Sequence, residues 1–174
     1  MINNHPEAVL QFWFECLTPE QRFDKDEATD ASIRREFFHT WQEAARGEWS
    51  ASRERLSGRL AEIIVLDQFS RNLWRGNALS FVQDGMALAL SQEAQRQTGF
   101  AALTPVERQF LPMTMMHSES LAIQDASLPL FKQHCDDNTY GFAMHHRDIV
   151  AEFGRFSHHN ETLKRASTAA ERAL

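Results

Sequence analysis

The sequence HHRDIVAEFGRFSHHN, residues 145–160, decides how the chain is read. It holds four histidines and two arginines, yet it is not polar throughout. With Phe142 just before it, Phe142, His146, Ile149, Phe153 and Phe156 follow at steps of four, three, four and three, the spacing of one helical face. His146 therefore shares a stripe with apolar residues, where an imidazole needs a partner or a purpose, while His159 is expected in a more exposed turn. A helix through this stretch has a natural start at Asp136 and a natural stop at Gly154.

The same period recurs outward from this helix. Residues 6–17 carry Leu10, Trp13 and Leu17 behind a proline suited to a first turn, with Asn4 as a cap. The adjoining Phe12 and Phe14 read as core, since aromatic side chains at helical spacing bury large areas. Residues 18–29 form a polar connector. Helices are then expected over 30–46 (Ile33, Phe37, Trp41), 53–70 (Leu56, Leu60, Ile63, Ile64, Leu66) and 79–98. Thr104, Pro105 and Glu107 make a capping box for the next helix, which Pro112 should kink. A further helix spans 121–133, Asn160 is placed to cap a short one, and Thr168 with Glu171 opens a stubby last one. With no Gly-rich linker and no charge block, residues 1–174 read as a single all-α domain. Seven to nine helices in antiparallel pairs are expected, with no clear tandem repeat.

Composition narrows the function classes. Hydrophobic residues make up 43% and charged ones 24%, which is globular, and the formal net charge of -6 leaves no broad basic face for nucleic acid. The longest strongly apolar run, residues 63–66, is far too short to span a bilayer. Cys16 and Cys135, without a leader-like start, read as reduced thiols in a cytoplasm.

Chemistry concentrates in three polar segments set against apolar stripes: Asp67 to Asn72, His117 to Glu119, and His146 to Asn160. Buried polar groups cost about 1–3 kcal/mol each when left without a partner, so such segments imply a network or a lined cavity. Within them Asp67 and Arg71 stand one helical turn apart and are placed to pair. Gln68, Arg71, Asn72, Arg147, Arg155, His158 and Asn160 offer donors suited to a carboxylate or phosphate. Arginines here outnumber the carboxylates expected to neutralise them, so a basic interhelical pocket for an anionic small molecule is anticipated. His146 and His117 are the proton-transfer candidates, with Glu119 to orient one of them. Arg71, His117 and His146, 46 and 29 residues apart, are expected to converge. No CxxC, HExxH or i,i+4 histidine pair is present, so neither metal nor cofactor is expected.

Together VLQFWF (9–14), LDQFSRNLWRG (66–76), MHSESLAIQD (116–125), HRDIVAEFGRFSHHN (146–160) and the nearby AST-AAE resemble a bacterial family, domain of unknown function 924, across nearly the whole chain. The resemblance implies a tetratricopeptide-like array of helix pairs and places a polar signature on Asp67, Gln68, Arg71, Asn72, His117, Ser118, Glu119, His146, Arg147, Arg155, His158 and Asn160. It implies no reaction. Ser157 stands where a proline is expected from that family, and the stretch after Glu171 is short. A tetratricopeptide-like architecture also suits a peptide-binding module, which is the alternative reading.

Overall fold

A computed structural model describes residues 5–174 and shows an all-α fold, with no strand among them. We number nine helices: α1 (residues 6–16), α2 (Pro19–Phe23), α3 (Glu27–Ala45), α4 (residues 56–73), α5 (Asp84–Gln95), α6 (residues 105–116), α7 (Leu121–His134), α8 (Asp137–Phe153) and α9 (Ala169–Arg172). From α3 to α8 each helix packs on the next, and α1 packs on α4. This order is compatible with layered helical hairpins. The cap foreseen at Asn4 lies outside the described residues.

α4 is the axis of the core. All of residues 61–70 are buried, so this segment has no solvent face. It begins as an α-helix, widens into a π-helical stretch at Ile64–Phe69 and returns to α at Ser70–Leu73. A π-turn carries an extra residue per turn and shifts the helical phase of the residues after it. α1 does the same at Gln11–Cys16. The FWF triplet of α1 is core, as expected. Phe12 meets Phe37 at 5.0 Å between ring centroids, Trp13 meets Phe69 at 5.8 Å and Phe110 at 5.7 Å, and Phe14 meets Phe110 at 5.6 Å.

Several boundaries differ from those read off the sequence, each for a local reason. The connector at 18–29 contains α2, because Thr18 and Gln21 form a capping box around Pro19. Asp26 rather than Asp30 caps α3, accepting from the Thr29 N–H at 3.2 Å, so the helix starts a turn early. The helix expected from residue 79 begins at Asp84, after a 3-10 turn at Ala78–Ser80 held by Asn77. α6 is interrupted at Gln109, next to Arg108, the residue whose carbonyl would have received the N–H that Pro112 lacks.

The stripe of α8 is also rephased. Ala143 and Val150 face the interior, whereas Phe142 is 55% exposed. Small side chains allow the close approach of α7, and the Phe142–His146 edge turns towards a cleft instead of the core. Gly154 ends α8 in the left-handed conformation, with φ 71°. Asn160 caps no helix, and His159 is half-buried like His146 rather than more exposed, because its ring stacks on Phe81, just before α5. Both cysteines are free, and among the described residues no helix is long and apolar enough to cross a membrane.

Two glycines make opposite predictions. A Cβ on Gly58 would stand 1.9 Å from the Ser52 carbonyl oxygen, whereas one on Gly141 would meet nothing within 4 Å. Replacing a mid-helix glycine by alanine gains about 0.5–1 kcal/mol where space allows. Gly141→Ala is expected to raise the urea midpoint. Gly58→Ala is expected to lower it by more than the propensity gain, since a backbone atom must move.

Candidate functional site

α4 presents Gln68 and Arg71 to a cleft walled by α2, α6 and α8, with Asp67 buried behind them. The cleft has a volume of about 1010 Å³, and its lining includes Gln68, Arg71, His117 and His146. Arg71, His117 and His146, each from a different helix or helix end, thus face one space. That volume is at the upper end of the range for small-molecule sites.

Its floor is built around the carboxylate of Asp67, 1% exposed. His117 Nδ1 lies 2.8 Å from Asp67 Oδ1, and Gln68 Nε2 donates to Oδ2 at 2.7 Å. Arg71 Nη1 lies 3.5 Å from Oδ1 and donates to the Asp67 carbonyl at 2.9 Å. Burial works against ionisation here, but His117 and Arg71 outweigh it and hold the carboxyl down at about 2. Arg71 then turns its fork on Asp84, at 2.8 and 3.0 Å; burial lowers its basicity, and the two carboxylates more than restore it.

An ionised carboxylate only accepts, so Nδ1 of His117 donates to Asp67, and whenever the imidazole carries a single proton Nε2 holds the lone pair. Nε2 has no protein partner among the described residues. His146 follows the same logic. Its Nδ1 lies 2.8 Å from the Phe142 carbonyl, which only accepts, and its Nε2 is likewise without a protein partner. Burial lowers the basicity of His146, with the nearby His117 and other imidazoles adding to the effect and the Phe142 carbonyl opposing it. Two imidazole bases therefore line one cleft. Among the described residues no three His, Cys, Asp or Glu side chains are grouped to hold a metal.

Other nominated residues lie elsewhere, and the expectation of a surplus of arginine fails. Glu119 orients neither histidine. It accepts the Phe156 N–H at 2.8 Å and both arms of Arg165 at 2.7 and 2.8 Å, because the chain after α8 folds back onto the turn between α6 and α7. Arg155 grips Glu171 at 2.6 and 2.9 Å, and Asn160 binds Ser167 and Arg165, so these three fasten the C-terminal segment. Asn72 donates to Asp30 at 2.8 Å beside Arg75 and ties α4 to α3. Arg147 pairs with Asp125 at 2.7 Å and joins α8 to α7, while His158 is exposed against Phe156. Arg71, Arg147 and Arg155 each have a carboxylate, so the cleft is not a basic pocket.

A second cavity of about 260 Å³ adjoins the cleft and shares His117 with it. Phe81, Asp84, Glu119, Phe156 and His159 line it. His159 stacks on Phe81 with centroids 4.3 Å apart, and the Arg71 guanidinium lies 5.5 Å from the same ring. Asp67 as the orienting acceptor was in reach of the sequence, through its spacing from Arg71. Arg165 and the lip residues Phe23 and Val106 were not, because no periodicity says which distant element will face α4.

These contacts make two predictions. Removing Arg71 leaves Asp67 and Asp84 without their shared cation. Arg71→Ala is therefore expected to cost about 3–5 kcal/mol in a denaturant titration, rather than to leave a stable protein that has merely lost a ligand. Burial, with His158 and Arg71 adding to it, lowers His159 from 6.5 to about 4, against the opposing charge of Glu119. The unfolded chain therefore takes up this proton before the folded one does. The contribution of His159 is fully present above pH 6.5 and is lost as pH falls towards 4. His159→Phe should flatten the slope of urea midpoint against pH in that window.

A family model for bacterial proteins of unknown function (DUF924) matches residues 9–174. A solved structure of a protein of unknown function, ATU0120 from Agrobacterium tumefaciens, is 33% identical and superposes with a TM-score of 0.92. That alignment covers 97% of this chain and 94% of that one. A search of curated proteins returned no match. With the family model spanning nearly all of its length, the chain belongs to the DUF924 family of bacterial proteins of unknown function.

Proposed function

We propose that the chain is an enzyme that transfers a proton to or from a small anionic molecule, a carboxylate or phosphate compound, held in the cleft. One observation carries the reading. The ionised, buried Asp67 fixes the Nδ1–H tautomer of His117, which leaves Nε2 as an open base in a space large enough for a ligand. Asp67 already has Gln68 and Arg71 as partners, so the burial of its charge does not by itself require a histidine with an open nitrogen. His146 supplies a second imidazole for the opposite proton movement. Gln68 and Arg71 act as positioning residues that keep Asp67 in place. Anion affinity in this reading does not come from a surplus of arginine, since Arg71 is neutralised where it stands.

The alternative, a peptide-binding module, draws support from the exposed apolar lips Phe23, Val106 and Phe142 on the cleft. A metabolite panel followed by proton NMR separates the two. Wild type is expected to convert a member of the panel, and His117→Gln, with its fold checked by circular dichroism, to slow conversion about 10²–10⁴-fold, the usual contribution of a general acid or base. Conversion unaffected by His117→Gln overturns the reading. An inert panel together with tight binding of an apolar peptide would establish the module instead.

A further inference from the structure

We infer that Arg22 anchors the anionic end of the substrate, whose apolar body lies along Phe23, Val106 and Phe142 and whose reacting end reaches His117. The inference rests on the proton-transfer reading for the reacting end, and on independent geometry for the anchor.

Arg22 is half-buried in the wall of the same cleft as His117. Its Nη1 donates to the carbonyls of Trp13 at 3.2 Å and Leu17 at 2.9 Å, at the end of α1. Those bonds account for one nitrogen. Nε is buried without a partner, and Nη2 makes no hydrogen bond to the described protein. No carboxylate lies within ion-pair distance of the guanidinium among the described residues, in contrast to Arg71 across the cleft. Burial disfavours its charge, and only Glu20 compensates from a distance. A guanidinium pinned by one arm, with Nη2 left open and no carboxylate beside it, is set up to pair with a carboxylate or phosphate through that nitrogen. Two acids share the lining, Asp24 and Asp136. Asp136 is occupied in capping α8, accepting the Thr139 N–H at 2.7 Å. Neither acid lies at ion-pair distance from Arg22, which therefore keeps its charge for a ligand.

The space next to Arg22 sets the rest of the molecule. Phe23, Val106 and Phe142 are 53%, 41% and 55% exposed, and all three lie on this one cleft. They come from three separate helices, and Phe23 also stacks on Phe110 with centroids 5.9 Å apart. Met113 and Met116 continue the apolar wall inward towards His117, and methionine adapts readily to irregular ligands. The substrate class is thus an organic anion with an apolar middle and a reactive group at its far end.

Calorimetric titration with 4-phenylbutyrate, 4-phenylbutyl phosphate, 4-phenylbutanol and 4-phenylbutylamine tests the anchor. Wild type is expected to bind at least one of the two anions about tenfold or more tightly than the alcohol, and the amine least well. The better anion identifies the head group. Arg22→Gln should bring the anions to the level of the alcohol, and Phe142→Ser should weaken anion and alcohol alike. If Arg22→Gln fails to fold by circular dichroism, Arg22→Lys replaces it, and the gap should narrow because a lysine cannot keep the carbonyl anchors and the open Nη2 donor together. An anion–alcohol gap unchanged in a folded Arg22 variant, an amine that binds as well as the anions, or a wild type that binds none of the four overturns the inference. Turnover absent from every protein while the Arg22-dependent gap holds would remove the proton-transfer reading and leave the anchor standing.

Discussion

The buried negative charge of Asp67 organises the centre of this protein. The carboxylate of Asp67 lies in the middle of α4, in a segment with no exposed residue, where an uncompensated charge would be prohibitive. It is tolerated because Gln68, Arg71 and His117 converge on it, and Arg71 is held in turn by Asp84. That requirement links α4, α5 and the end of α6. The π-helical stretch at Ile64–Phe69 turns Asp67 and Gln68 to meet these partners while Leu66 and Phe69 stay in the core. Structure and candidate chemistry thus depend on the same contact: whatever keeps Asp67 ionised also sets the tautomer of His117.

A second set of charges does different work. Glu119 with Arg165 binds the segment after α8 to the turn between α6 and α7, and Arg155 with Glu171 binds α9 to the end of α8. These carboxylates are shifted to lower pKa. Burial opposes the shift at Glu119, and the Arg165 hydrogen bonds outweigh it. The Arg155 hydrogen bond dominates at Glu171, which falls to about 2. The clamp lays Phe156 and His159 against the small cavity next to His117. Arg155 and Asn160 therefore shape the site from behind rather than from within it.

The cleft combines two environments. Its floor is polar and balanced, with paired charges and imidazoles carrying open nitrogens. Its lips are apolar, from Phe23, Val106 and Phe142, with the lone guanidinium of Arg22 on the wall. Such a division suits a molecule with a polar reacting end, an apolar middle and one charge, better than it suits a small, highly charged ion. The partial burial of His146 favours its neutral form and keeps it available to accept a proton near neutral pH.

The all-α class, the single FWF core, the caps at Thr104, Asp136 and Thr168 and the stop at Gly154 were legible in the sequence, because they follow from local spacing and backbone chemistry. So was the pairing of Asp67 with Arg71, one turn apart on a helix. The sharing of a cleft by Gln68, Arg71, His117 and His146 was foreseen from where apolar stripes turn polar. Its partners were not. Asp84 neutralises Arg71, Arg165 captures Glu119, and Arg22 reaches the cleft from a segment that reads as connector, all through contacts between distant parts of the chain. The helical phase of α8 was also decided in three dimensions. Both the Phe142–His146 edge and the Ala143–Val150 edge satisfy a 3.6-residue period, and the close approach of α7 selects the smaller side chains for burial. Local periodicity reports that a face exists, but only packing against a particular neighbour determines which face is buried and which charge finds a partner.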